Sequence, residues 1–139
     1  MSRPSFVSIA LIIVALAGCV HELPPPVTLP APAAASSEEL RWAIEAGLAA
    51  HNWTVTERAP GSISAYVYSR GSGDQATIKI LYRPGAIEIR CVQQDVSPDR
   101  YDRWMRLLSG EIQKGTAMLG MGIRPAPSPP PPPPPPPVQ

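Results

Sequence analysis

The chain has 139 residues, with 12 basic and 11 acidic side chains for a formal net charge of +1, and its 20 prolines gather towards the two ends. So balanced a charge gives no electrostatic reason to expect nucleic acid or an anionic membrane surface as a partner. Two cysteines, Cys19 and Cys91, allow at most one disulfide, and roughly 80 residues of ordinary composition suffice for one domain, not two.

At the N-terminus, Arg3 leads into an apolar run from Phe6 to Ala17. The run falls short of the about 20 apolar residues that a membrane-spanning helix needs. A charged start, a short apolar middle and a small-residue end describe a secretory signal peptide over residues 1–18. Leu16-Ala17-Gly18-Cys19 then resembles the lipobox of bacterial lipoproteins. The resemblance implies cleavage before Cys19 and diacylglycerol on its sulfur, so Cys19 is the expected lipid attachment site. Val20 follows, where an aspartate would resemble an inner-membrane retention signal. The implied location is therefore the outer membrane of a Gram-negative bacterium, with the protein facing the periplasm. Cys91 is left without an intramolecular partner and reads as a small buried hydrophobe on a strand, a reactive thiol being the alternative.

Residues 19–36 are rich in proline and alanine and carry almost no charge. Proline fixes its own backbone and extends the residue before it, so this stretch reads as a semi-rigid tether. The folded domain is expected over residues 37–119. Ser36 and Glu39 have capping-box spacing, and Leu40, Ala43, Ile44, Gly47 and Leu48 form one helical stripe ending near His51 or Asn52. Four alternating runs follow. Trp53 to Arg58 sets Trp53 and Val55 against Thr54 and Thr56, and Ile63 to Ser69 sets Ile63, Ala65 and Val67 against Ser64, Tyr66 and Tyr68. Ala76, Ile78 and Ile80 alternate with Thr77, Lys79 and Leu81, and Ile87, Ile89 and Cys91 alternate with Glu88, Arg90 and Val92. The connections are too short for parallel crossovers. A second helix opens at Ser97-Pro98-Asp99 and buries Tyr101, Trp104, Met105, Leu108 and Ile112, with Gly115 or Gly120 marking its end. Asp99 with Arg103, and Asp102 with Arg106, have ion-pair spacing on its other faces.

The expected fold is α+β, a four-stranded antiparallel meander covered on one face by two helices in the order αββββα, flanked by disordered proline-rich arms. The arm at 120–139 ends in an unbroken run from Pro129 to Pro137. In polyproline II geometry, at about 3.1 Å per residue, that run is a rod near 28 Å long.

No catalytic constellation emerges. His21 and His51 lack metal-ligand spacing to each other or to a cysteine, no Gly-x-Ser-x-Gly elbow occurs, and Gly71-Ser72-Gly73 is not followed by the lysine and helix of a phosphate loop. Neither a cofactor nor a metal is expected. Two features stand out as candidate interaction elements. One is Tyr101-Asp102-Arg103-Trp104, read either as helix packing or as a recognition rim carried by Tyr101 and Arg103. The other is the proline run, read either as a spacer or as a ligand for an aromatic-lined groove on another envelope protein. Tyr66 and Tyr68, with Thr54, Thr56 and Lys79, would mark an open sheet face suited to a macromolecule.

Beyond the lipobox, residues 40–115 resemble small Gram-negative envelope lipoproteins of uncharacterised function. The resemblance rests on Gly47-Leu48, Asn52-Trp53-Thr54-Val55, Pro60-Gly61-Ser62-Ile63, Ala76-Thr77-Ile78-Lys79-Ile80 and Tyr101-Asp102-Arg103-Trp104 with Leu107. It implies an α+β domain in the envelope and supplies no catalytic residues. The expected function is a non-enzymatic interaction or structural module anchored to the membrane through lipid on Cys19. Its partner would be an envelope protein met by the tail or by the sheet face. The alternative is a small-molecule binder or an enzyme whose site forms only in three dimensions.

Overall fold

Seven elements emerge from these patterns in a computed structural model, which describes residues 22–124, 126, 130 and 132–134. The expected signal peptide, the lipid site at Cys19 and most of the proline run lie outside the described residues. In chain order the elements are β1 (Val27–Pro30), α1 (Ser37–Ala50), β2 (Thr54–Ala59), β3 (Ser62–Tyr68), β4 (Gln75–Arg83), β5 (Ala86–Asp95) and α2 (Pro98–Gly120). The strands form one antiparallel sheet ordered β1-β5-β4-β3-β2.

The α+β class and the antiparallel sheet with two helices are as expected, but the sheet has five strands rather than four. The fifth comes from the stretch read as a tether. Val27 pairs with Ile89 and Leu29 with Ile87, so both side chains fall on the face that carries the core. Leu29 is only 5% exposed, and Ala35 is buried as well. Pro30 is tolerated because β1 is an edge strand, where the missing N–H breaks no inner ladder. The alternation of Val27 and Leu29 against Thr28 and Pro30 was masked by flanking prolines. The folded body thus begins at Val27, and residues 27–35 belong to it.

The Ser36 hydroxyl accepts the Glu39 N–H at 3.2 Å, and the Glu39 carboxylate accepts the Ser36 N–H at 3.0 Å. This reciprocal box sets the start of α1, and its predicted stripe, Leu40, Ala43, Ile44, Gly47 and Leu48, is buried throughout. Helix α2 starts at Pro98, although the Ser97 side chain makes no capping bond. It passes straight through Gly115, because that glycine serves contact and not termination. A Cβ there would lie 3.0 Å from the Cβ of Ala43, and one at Gly47 would lie 2.9 Å from Ile112 Cγ1. The two helices therefore cross backbone to backbone, antiparallel, over the covered sheet face.

Each inward row of the sheet matches its alternation: Ile63, Ala65 and Val67 on β3, Ala76, Ile78 and Ile80 on β4, and Ile87, Ile89 and Cys91 on β5 are buried. Tyr82 extends the β4 row. Trp53 is buried and meets the half-buried Trp104 edge to face, with ring centroids 6.3 Å apart. Gly61 (φ 73°) and Gly85 (φ 96°) supply the positive φ that the β2–β3 and β4–β5 turns demand. Those turns, the β1–α1 connection and the end of α2 share one end of the sheet, where Arg124 Nε lies 2.7 Å from Glu39 at the start of α1. The α1–β2, β3–β4 and β5–α2 connections lie at the other end. There Arg100 of α2 pairs with Asp74 and donates to the Ser72 hydroxyl at 2.8 Å. The expected Asp99–Arg103 and Asp102–Arg106 pairs do not form.

Candidate interaction surface

Because both helices pack on one side of the sheet, its other side is left uncovered among the described residues. Cross-strand partners share a face, which assembles this surface row by row. Thr54, Tyr66, Thr77 and Gln93 form one row, and Glu57, Ser64, Lys79 and Arg90 the next. Tyr68 pairs with Gln75, which pairs with Asp95. The face is thus made of hydroxyls, amides, two tyrosines and a few charges on rigid strands. Thr56 lies at the register shift between Val55 and Glu57, exposed on the free edge of the sheet.

The tyrosines differ. Tyr66 is half-buried and its hydroxyl donates to Gln75 Oε1 on the neighbouring strand at 3.0 Å, which restrains the ring. Tyr68, one pleat further along β3, is 51% exposed. Lys79 stands beside Arg90, and like charges directly opposite repel. Arg90 relieves this through Glu88, holding its carboxylate by two bonds at 2.8 and 3.3 Å. The same guanidinium keeps the Glu88 carboxyl below its ordinary pKa. Among the described residues Lys79 forms no ion pair.

The other two residues singled out by sequence lie elsewhere. Tyr101 is 3% exposed and borders the groove between the Pro24–Val27 segment and α2, away from the sheet face that carries Tyr66 and Tyr68. Its phenol faces the Cys91 thiol from α2. Burial raises the pKa of both groups, and the contact between them lowers that of the thiol and raises that of the phenol further. Tyr101 belongs to the helical stripe that includes Met105 and Leu108, and that periodicity is the reason it packs inward. Arg103 is exposed on α2, in the helix layer and so on the opposite side of the domain from Tyr66 and Tyr68. The structure therefore unites Tyr66 with Tyr68 and separates both from Arg103. Gln75 and Gln93 were missed as members of the surface, since only strand register reveals that they flank Tyr66 and Thr77.

An open groove of about 870 Å³ runs between the Pro24–Val27 segment and α2, bordered by Asp102, Arg106, Ser109 and Gln113. Among the described residues no three His, Cys, Asp or Glu side chains converge as a metal site, and no helix is long and apolar enough to cross a membrane. Comparison with protein families, curated proteins and solved structures found no match to this chain.

Proposed function

We propose that this chain is a lipoprotein held in the outer membrane through lipid on Cys19. Its periplasmic domain acts as a non-enzymatic module that binds an envelope protein through the open face of its sheet. The anchor rests on Leu16-Ala17-Gly18-Cys19 and the signal-peptide pattern before it, and more than one acyl chain is what gives stable attachment. The observation that carries the binding role is the uncovered, tyrosine-bearing face with Tyr66 locked by Gln75 and Lys79 unpaired. Tyrosine is among the side chains that concentrate binding energy at interfaces.

The test is co-purification from crosslinked envelopes, comparing the natural chain with Tyr68→Ala, Lys79→Glu and a form lacking residues 125–139. Loss of a partner in the face variants, with retention in the shortened form, supports this reading. Retention in the face variants and loss with the tail would move recognition to the proline run. The groove beside α2 is of a size that takes small molecules, and it is the observation behind a second reading as a small-molecule binder. A ligand that raises the melting temperature of the wild-type domain but not of a Ser109→Trp variant would favour it.

A further inference from the structure

Resting on the lipid reading of Cys19, we infer that the domain stands on end at the membrane, its Gly71–Asp74 loop nearest the lipid, and that the proline tail leaves from the far end.

The inference follows the path of the chain. Strand β1 runs antiparallel to β5, with Val27 opposite Ile89 and Pro30 opposite Ala86, so residues before Val27 lead back towards the Asp95 end of the sheet. They arrive there: Glu22 borders the same recess as Asp74, Asp95, Ser97 and Pro98. Only three peptide steps separate Glu22 from Cys19, about 10 Å at full extension. An acylated Cys19 therefore holds this end of the domain close to the lipid, far nearer than a free tether over residues 19–36 would.

Helix α2 starts at the same end and carries the chain away from it. Its 23 residues rise about 34 Å, and Arg124, just beyond it, is pinned at the far end by Glu39 and by the Leu119 carbonyl, to which it donates at 3.0 Å. Charge does not set this orientation, because Glu22, Asp74 and Asp95 outnumber Arg70 and Arg100 near the loop end and give it no attraction to anionic lipid. The tether geometry does.

The experiment places a fluorescent donor at Ser72→Cys or at Met121→Cys, exposed at the end of α2, in the acylated chain, on vesicles of phosphatidylethanolamine and phosphatidylglycerol carrying a headgroup-labelled acceptor. Cys91 is buried and stays unlabelled in the native state; a C91A background serves as the second arm. Transfer several-fold stronger from position 72 than from 121 is expected. Equal transfer, or stronger transfer from 121, with the acyl mass present on Cys19, overturns the orientation alone. Absence of the acyl mass overturns the lipoprotein reading and this inference with it.

Discussion

At Gly47 the two helices approach so closely that a single added carbon has nowhere to go. A Cβ there would lie 2.9 Å from Ile112 Cγ1 and 3.3 Å from the Ile112 nitrogen. Gly47→Ala gains up to about 1 kcal/mol of helix propensity, but overpacking against backbone costs about 1–3 kcal/mol, so net destabilisation is expected. Gly110 on α2 has nothing within 4 Å of the same position, and Gly110→Ala should stabilise by up to about 1 kcal/mol. Urea midpoints of the two variants on opposite sides of wild type are the expected result. A second residue-scale contrast lies at Tyr101 and Cys91. Burial raises the pKa of the Tyr101 phenol well above its ordinary 10.0, whereas in the unfolded chain it ionises near that ordinary value. The stabilisation from keeping it neutral is fully present below pH of about 10 and is lost as pH rises beyond that. Urea titrations should show stability falling above that pH, with a flatter profile in Tyr101→Phe. The Cys91 thiol, raised by burial, should react with an aromatic disulfide reagent only slowly until urea unfolds the chain.

The element with the largest consequence is the four-residue β1. Leu29→Ala removes a buried side chain from it and should cost about 2–3 kcal/mol, measured by chemical denaturation. A chain starting at Ser36 would lack β1 altogether and bare the edge of β5 at Ile87 and Ile89. Such open edges pair with one another, so concentration-dependent association by sedimentation is expected, absent when the chain starts at Glu22. This element also marks the limit of what was legible in the sequence. The capping box at Ser36 and Glu39, the stripe of α1 and the alternation of β3, β4 and β5 are local signals, written within a few residues, and they survive folding intact. Strand β1 lies between prolines and pairs with a partner on the far side of α1 and the meander, so no local period exposes it. Register behaves alike. Alternation identified Tyr66 and Tyr68 as outward, but only pairing shows Gln75 and Gln93 beside them. The shift at Thr77 and Ile78, which leaves Val92 unpaired and exposed, carries no sequence mark at all. Arg100 finds Asp74 across 26 residues, a pairing that no local spacing marks.

For the molecule as a whole, lipid on Cys19 should decide where it is found. Cys19→Ser is expected to yield a soluble or unprocessed form, checked by membrane extraction and intact mass. Unchanged extraction and unchanged mass would sink the lipoprotein proposal. The domain contributes a different property: its open sheet face runs the length of the strands, and both helices guard only the other side. Lys79→Glu on that face should leave the urea midpoint within about 0.5 kcal/mol of wild type, as surface changes do, while lowering partner yield in crosslinked envelopes.

The antiparallel register of β1 against β5 also governs how the fold would bear a pull. With the chain entering β1 from the Asp95 end and leaving α2 at the opposite end, tension between the two termini drags β1 along its own axis, parallel to β5. Antiparallel hydrogen bonds lie perpendicular to the strands, so this force shears the bonds between Val27–Pro30 and Ala86–Ile89 together rather than opening them one after another like a zip. The strand nearest the N-terminus is thus the first to take mechanical load, and it meets that load in its stiffer direction.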